Sequence, residues 1–283
     1  MTDSTVAAWE QAEIEKANAS GLTPVVFVHG LWLLSSSWQR WRDLFEANGY
    51  TTIAPGWPDD PATVREAFEH PDVFAHKKVQ AVTDHYLDAI RQLEKKPAVV
   101  GHSFGGLIAQ KIAGSGASAA TVTIDNAPFR GVLPLPVSSL RSAFPILGNP
   151  ANYGKAIALT FPQFKYGWAN NVDDIEAKEL YETFHVPAPG VPLFQASIAN
   201  FNPLSETRVD SKNPERGPLL VIAGENDHTI PLAVTEATFK IQSKHNPGVT
   251  EIERIPGRGH SLVIDNGWKE VADVAVKFIQ RFV

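Results

Sequence analysis

Two kinds of segment alternate along most of this chain: short apolar runs and longer stretches with helical periodicity. The run Pro24-Val-Val-Phe-Val28 is continuously apolar and leads into His29-Gly30. Such a run is typical of a strand that is buried on both faces of a parallel sheet. Strands that alternate with helices predict an α/β fold, with a mostly parallel sheet and helices on both of its faces. The other predicted strands cover residues 50–54, 97–101, 120–124, 218–223 and 250–255.

Apolar residues three or four positions apart mark the predicted helices between these strands. One helix precedes the first strand, and Gly21 ends it, because glycine is the residue that most readily follows a helix C-terminus. Ser36 or Ser37 can cap the next helix, and Asp173 can cap a later one. The predicted helices cover residues 4–19, 38–48, 76–94, 104–113, 174–184, 232–243 and 268–282.

Residues 129–212 interrupt the alternation. This segment is dense in proline and in aromatic residues. Its apolar content excludes a flexible linker, since linkers have little apolar surface to bury. The segment predicts an irregular helical insertion, or lid, between the two parts of an α/β core formed by residues 1–128 and 213–283.

Charge and composition exclude several classes of protein. The net charge of −6 argues against a nucleic-acid partner and disfavours an anionic membrane surface. The chain has no cysteine, which excludes disulfides and thiolate nucleophiles. Residues 1–20 lack the basic start and apolar run of a secretory signal, and no stretch approaches the roughly 20 apolar residues of a membrane helix. We therefore expect a cytoplasmic protein.

Acidic residues such as Asp59 and Asp60 lack the spacing of known calcium or magnesium loops. The chain contains neither a G-x-G-x-x-G nor a Walker motif. We expect no metal and no cofactor.

The sequence Gly101-His-Ser103-Phe-Gly105 matches G-x-S-x-G, between a predicted buried strand and a predicted helix. The pattern alone arises often by chance, but this context is the one that a nucleophile elbow requires. The alternative is an ordinary turn in which Ser103 only caps the helix. The strand–turn–helix context favours Ser103 as a nucleophile.

A serine hydroxyl needs a base within hydrogen-bonding reach. Among nine histidines, His260 lies in the glycine-rich segment Pro256-Gly-Arg-Gly-His260, just after a predicted strand. Loops beyond the carboxyl ends of parallel strands carry the ligand sites of open α/β sheets. His29 and His102 lie beside strand ends and are expected to pack, so His260 is the preferred base.

The base in turn needs a carboxylate that fixes its tautomer and stabilises its charged form. Asp227 follows another predicted strand, and the order Ser103, Asp227, His260 is the chain order expected when an elbow serine is the nucleophile. Glu225 and Asp125 are the alternatives. Loop capping is the non-catalytic explanation for all three acidic residues, and Asp227 is preferred.

Two backbone N–H groups are expected to stabilise a developing oxyanion. One belongs to Phe104, directly after the nucleophile, and the other to Leu31, directly after His29-Gly30. No particular side chain is needed for this role, so the sequence tests it poorly.

Four motifs together resemble the α/β-hydrolase fold family, in its serine-nucleophile branch of esterases, perhydrolases and C–C hydrolases. They are Val-His29-Gly-Leu-Trp, Gly-His-Ser103-Phe-Gly-Gly, Gly-Glu-Asn-Asp227 and Gly-Arg-Gly-His260. The resemblance covers residues 24–283. Two features depart from it: residues 4–19 predict a helix where members begin with a β-hairpin, and residues 54–60 lack the Asp-x-x-Gly-x-Gly motif of many members.

The resemblance implies hydrolysis of an ester, thioester or lactone through an acyl-Ser103 intermediate. C–C bond hydrolysis and perhydrolysis would use the same three residues, and a small-molecule receptor could retain them. Epoxide hydrolysis and dehalogenation are disfavoured, because they need an aspartate nucleophile and serine would form an ether that water cannot cleave.

The aromatic insertion predicts an apolar pocket for a small, neutral, hydrophobic substrate. The oligomeric state is left open. The candidate pocket residues are Trp32, His102, Phe129, Phe164, Trp168 and Phe184.

Overall fold

The structure is a computed structural model that describes residues 6–283. Its strands are β1 (Thr23–Val28), β2 (Tyr50–Ile53), β3 (Ala98–His102), β4 (Ala120–Ile124), β5 (Ala156–Ile157), β6 (Ala188–Pro189), β7 (Leu219–Gly224) and β8 (Thr250–Ile255). Its helices are α1 (Ala8–Ser20), α2 (Gln39–Ala47), α3 (Val64–Glu69), α4 (Val79–Arg91), α5 (Phe104–Gly114), α6 (Val137–Leu147), α7 (Phe161–Gly167), α8 (Asp174–Phe184), α9 (Val191–Ser197), α10 (Leu232–His245) and α11 (Trp268–Ile279).

The main sheet has the order β2-β1-β3-β4-β7-β8, and every neighbouring pair in it is parallel. The register places Val28 opposite Gly101, and His102 opposite Ile124. Strands β3, β4 and β7 are buried along their whole length. The predicted α/β fold with a mostly parallel sheet is confirmed. The segments that follow β1, β3, β4, β7 and β8 all leave the sheet at the same edge, because the strands run in one direction.

The chain between β4 and β7 forms α6 to α9 and the small antiparallel pair β5–β6. The sequence predicted only α8 within this stretch. Helix α6 contains Pro145, which argues against a helix in any sequence pattern because an interior proline removes a backbone hydrogen bond. Helix α3 was also missed, although Thr63 and Glu66 form a capping box at its start.

Helix α1 stands where relatives of this fold would have a β-hairpin. Among the described residues no strand precedes β1, so the predicted replacement is confirmed; positions 4 and 5 of the predicted helix lie outside the described residues. The helix ends at Gly21, whose φ of 65° is left-handed.

Two carboxylates of α1 satisfy backbone N–H groups just beyond the edge strand β2. The N–H of Ala54 donates to Glu13 Oε2 (3.1 Å), and the N–H of Gly56 donates to Glu10 Oε1 (3.0 Å). The same Glu10 oxygen lies 3.0 Å from Nε2 of His85 on α4. Glu10 is buried, so its hydrogen bonds fix the helix against the sheet.

Replacement of Glu10 by alanine should lower the free energy of unfolding by about 1–3 kcal/mol, the usual cost of a buried donor left without an acceptor. Urea unfolding of Glu10→Ala against the wild type measures the change. Glu15→Ala on the same helix is the matched control, since Glu15 is exposed; its effect should stay within about 0.5 kcal/mol. Equal midpoints for the two variants would contradict the assigned role of Glu10.

Candidate active site

Ser103 forms the turn between β3 and α5. Its backbone has φ 57° and ψ −123°, a left-handed conformation that costs a non-glycine residue about 1–3 kcal/mol. Backbone hydrogen bonds hold it there: the Ser103 N–H donates to Ile124 O (3.0 Å), and the Ser103 carbonyl accepts the N–H of Ala127 (2.9 Å). The strained turn that the G-x-S-x-G motif predicts is therefore present.

Glycine is required at two positions of this turn by the close approach of backbone segments. A Cβ on Gly101 would collide with the carbonyl oxygen of Gly105, and a Cβ on Gly105 would collide with that of Val28. The motif therefore lets the first turn of α5 pack against the ends of β3 and β1.

Ser103, His260 and Asp227 form one hydrogen-bonded chain. Ser103 Oγ lies 3.0 Å from His260 Nε2, and His260 Nδ1 lies 2.6 Å from Asp227 Oδ2. The other Asp227 oxygen accepts the N–H groups of Thr229 (2.6 Å) and Ile230 (2.9 Å). All three catalytic candidates are buried, which strengthens their electrostatic interactions. The short contact between His260 and Asp227 is typical of a charge-assisted hydrogen bond.

The imidazole of His260 packs against two other rings. His102 and Trp168 each lie 4.6 Å from it, centroid to centroid. Burial, and then the neighbouring His260, lower the pKa of His102 well below its usual range, so His102 is neutral and does not repel a protonated His260. His102 is thus a packing residue behind the base.

Neither alternative acid bonds to His260. Glu225 is exposed, and its carboxylate accepts the N–H of Gly257 (3.3 Å). Asp125 is fully buried near Asp227, and its Oδ1 accepts the N–H of Gly224 (2.7 Å). Of the three candidates, Asp227 is the one placed to orient the histidine.

The two expected oxyanion donors flank the serine. Gly30 packs so close to the elbow that a Cβ on it would lie 2.8 Å from Ser103 Cβ and 3.4 Å from the Phe104 nitrogen. Among the described residues, the N–H groups of Leu31 and Phe104 donate to no acceptor.

A buried ion network fixes the loop that carries Leu31. His29 Nδ1 donates to Gly30 O (2.9 Å), while His29 Nε2 lies 3.1 Å from Asp60 Oδ2. Lys77 Nζ lies 3.2 Å from the other Asp60 oxygen. Because a trans peptide points its C=O and N–H in opposite directions, holding the Gly30 carbonyl turns the Leu31 N–H away from His29.

A cavity of about 150 Å³ opens at Ser103. Its wall combines Trp32 and Phe104 of the core with Trp168 and with side chains of α6, α7 and α9. None of the described residues that line it is charged. The apolar residues that the sequence did not anticipate there include Leu140, Leu147, Leu159, Leu193 and Ile230.

Of the six pocket residues expected from the sequence, Trp32 and Trp168 line this cavity. The expectation is wrong for the other four, His102, Phe129, Phe164 and Phe184, which do not line it. His102 packs against His260, and Phe164 stacks on Trp168 with 5.9 Å between ring centroids. Phe129 and Phe184 line two other clefts, away from Ser103. Aromatic composition does not specify the direction of each side chain, so the sequence could not separate rings that line the cavity from rings that pack elsewhere.

The sequence matches the alpha/beta hydrolase family over residues 25–274. The chain belongs to the alpha/beta hydrolase family. A search of curated proteins found no match.

Solved structures of the same fold cover nearly the whole chain at low identity. The monoacylglycerol lipase of Paleococcus ferrophilus is 19% identical, with a TM-score of 0.63 over 92% of this chain and 95% of its own. An extracellular alpha/beta-hydrolase from a Paenibacillus species is 20% identical (TM-score 0.63, 90% and 98%), and polyneuridine aldehyde esterase is 16% identical (TM-score 0.64, 92% and 99%). At these identities the likeness establishes the fold.

Within residues 6–283, no helix has both the length and the apolar character that crossing a bilayer requires.

The hydrogen bond from His260 Nδ1 to Asp227 should give a far-downfield proton resonance in ¹⁵N-edited NMR spectra, because it is short, charge-assisted and buried. The resonance should disappear in His260→Gln and move upfield in Asp227→Asn. Glu225→Gln is the matched control and should leave it unchanged. If Glu225→Gln moved it and Asp227→Asn did not, the assignment of the acid would be wrong.

Proposed function

We propose that this protein is a serine carboxylester hydrolase that cleaves small, neutral, hydrophobic esters through an acyl-Ser103 intermediate. The observation that carries the proposal is the buried chain from Ser103 through His260 to Asp227, with Ser103 in the wall of a cavity whose described lining residues are uncharged. Family membership and the lipase and esterase neighbours support a hydrolase. Thioesters and lactones would react by the same steps.

In the first half of the reaction, Ser103 Oγ attacks the carbonyl carbon of the substrate while His260 Nε2 takes the hydroxyl proton. The Asp227 carboxylate stabilises the imidazolium that results. The N–H groups of Leu31 and Phe104 bind the oxyanion of the tetrahedral intermediate. When the intermediate collapses, the imidazolium gives its proton to the departing alkoxide, and the acyl group remains on Ser103.

In the second half, a water molecule takes the place of the alcohol. His260 removes a proton from the water, whose oxygen attacks the acyl carbon through a second tetrahedral intermediate. Protonation of Ser103 Oγ by His260 then releases the carboxylic acid and restores the enzyme. Apart from the substrate and this water, both halves use only groups of the chain.

The cavity supports the proposed substrate class. Its lining is largely apolar and, among the described residues, carries no charge, so an ionic substrate would lose its hydration without gaining an oppositely charged partner. Its volume of about 150 Å³ lies below the roughly 300–1,000 Å³ that is usual for drug-sized ligands, which favours a small acyl or alcohol group.

Residues 129–212 are proposed to act as the lid of this site. Leu140 and Leu147 on α6 and Leu193 on α9 reach the cavity. Trp32 connects the segment to the core: its Nε1 donates to Ile157 O (3.0 Å) and its carbonyl accepts the N–H of Val186 (3.1 Å).

The cytoplasmic location inferred from the sequence stays a prediction.

A fluorophosphonate probe should label the protein once, at Ser103, and Ser103→Ala should abolish both labelling and turnover of p-nitrophenyl esters. Peptide mass spectrometry locates the label. Ser115→Ala, at the far end of α5, is the control and should be labelled like the wild type. A label elsewhere would contradict the nucleophile, and a single slow turnover with retained product would instead indicate a receptor.

Turnover across a p-nitrophenyl ester series should rise with acyl length and then fall early, since the cavity is small. Each methylene that enters the cavity can add up to about 0.8 kcal/mol, or about fourfold in kcat/KM. Leu140→Trp, which fills the cavity from α6, should move the optimum to shorter chains. Preference for acetate with loss at every added carbon would contradict an apolar acyl pocket.

A further inference from the structure

A second buried carboxyl group, that of Asp125, lies beside the Asp227–His260 pair, and the mechanism above does not use it. Asp125 follows β4 and is completely buried, with a left-handed φ of 39°. One carboxyl oxygen of each aspartate and one ring nitrogen of His260 lie within 4.8 Å of one another. The carboxyl groups of Asp125 and Asp227 are thus close neighbours in a region that is buried from solvent.

The hydrogen bonds around the two carboxyl groups differ. Asp227 accepts three: from His260 Nδ1 and from the N–H groups of Thr229 and Ile230. Asp125 accepts one, from the N–H of Gly224 on Oδ1. Its Oδ2 is buried and has no N–H or O–H donor among the described residues. Asp227 is therefore solvated by the protein as an anion, whereas Asp125 is not.

The charges around Asp125 also oppose its ionisation. The titratable groups around it are Asp227 after β7, His260 after β8 and His102 on the adjacent strand β3, and burial keeps His102 neutral. Burial and then the negative charge of Asp227 raise the pKa of Asp125 well above its usual range, and the single N–H of Gly224 only partly offsets them. Like charges this close in a buried site do not both ionise.

We propose that Asp125 is a neutral carboxylic acid whose Oδ2–H donates a hydrogen bond to the Asp227 carboxylate, and that it acts as a positioning residue for the Asp227–His260 pair. The oxygen without a donor then carries the proton. The kinetic part of this proposal rests on the proposed function, whereas the protonation state does not.

A neutral donor at this point does what a lysine or arginine could not. It adds a fourth hydrogen bond to Asp227 and restrains its rotation, yet it does not cancel the negative charge that stabilises the imidazolium of His260. An ionised Asp125 would repel Asp227 and leave one more buried anion unpaired.

Asp125→Asn is the decisive variant, because asparagine reproduces the protonated acid. Its carbonyl oxygen can accept from Gly224, and its NH₂ group can donate to Asp227. In the unfolded chain Asp125 loses its proton near about pH 4, whereas the folded protein retains it. Above that pH the folded wild type binds one more proton than the unfolded chain, so its stability falls as pH rises towards the folded pKa.

Urea unfolding of the wild type and of Asp125→Asn from about pH 5 to about pH 8 tests the protonation state. The folding equilibrium constant of the wild type should fall by up to about tenfold per pH unit relative to the variant, until the folded pKa is passed. An infrared difference spectrum between the two folded proteins should show the C=O stretch of a protonated carboxyl group. Parallel stability curves and no such band would overturn the proposal.

Kinetics test the positioning role. Asp125→Ala should lower kcat by about 10- to 100-fold, the usual effect of losing a hydrogen bond to a charged group. Asp125→Asn should restore most of that loss, while Asp227→Asn should lose about 10⁴-fold. If Asp125→Asn lost as much as Asp227→Asn, the working form of Asp125 would be the anion and the proposal would be wrong.

The outcomes separate this proposal from the proposed function. If Ser103 failed to react and no ester were cleaved, the proposed function would fall, and the stability curves and the infrared band would still decide whether Asp125 is protonated. If Asp125→Ala failed to fold, the comparison of Asp125→Asn with the wild type would still decide the protonation state, and a large loss of kcat in Asp125→Asn would still overturn the proposal.

Discussion

The arrangement of the site depends on how closely backbone segments approach at the carboxyl edge of the sheet. Gly105 leaves no space for a side chain between α5 and the end of β1, and Gly30 in turn packs against Ser103. These contacts bring the loop of Leu31 to the serine and force Ser103 into a left-handed backbone. Backbone hydrogen bonds of Ser103 to Ile124, at the end of β4, and to Ala127, just beyond it, hold this strained conformation. The reactive geometry is thus a property of the sheet edge as a whole.

Much of this edge could be predicted from the sequence, for a physical reason. A parallel strand buried on both faces must be mostly apolar, so β4 runs over the predicted residues and β1, β3 and β7 differ from theirs by about one residue. Residues that follow such strands converge at one edge whatever the loops do. Ser103, Asp227 and His260 could therefore be proposed as neighbours although 157 positions separate the serine from the histidine.

The rest depends on information that periodicity does not carry. Asp125 and Asp227 both follow buried strands, and only the hydrogen bonds of each carboxyl group separate their roles. The aromatic content of residues 129–212 indicates packing but not the direction of each ring, so the sequence could not show that Phe164 stacks on Trp168 and does not line the cavity. Helix α6 supplies much of the cavity wall, but its sequence does not predict a helix because Pro145 lies in its interior. Tertiary packing overrides local preference in such segments.

The cavity wall and the buried hydrogen-bonded chain belong to parts of the molecule with different tolerance for change. Leu135 and Leu140 border the cavity while 69% and 45% of their surfaces remain exposed, so substitution there disturbs little of the core. Gly105 and Asp227 are enclosed by backbone and have no such freedom. Over evolutionary time, single substitutions in the segment around α6 can therefore change which molecules enter, while the chemistry applied to them stays the same. In a lineage of such proteins, the range of molecules that are bound would change before the arrangement of the buried residues did.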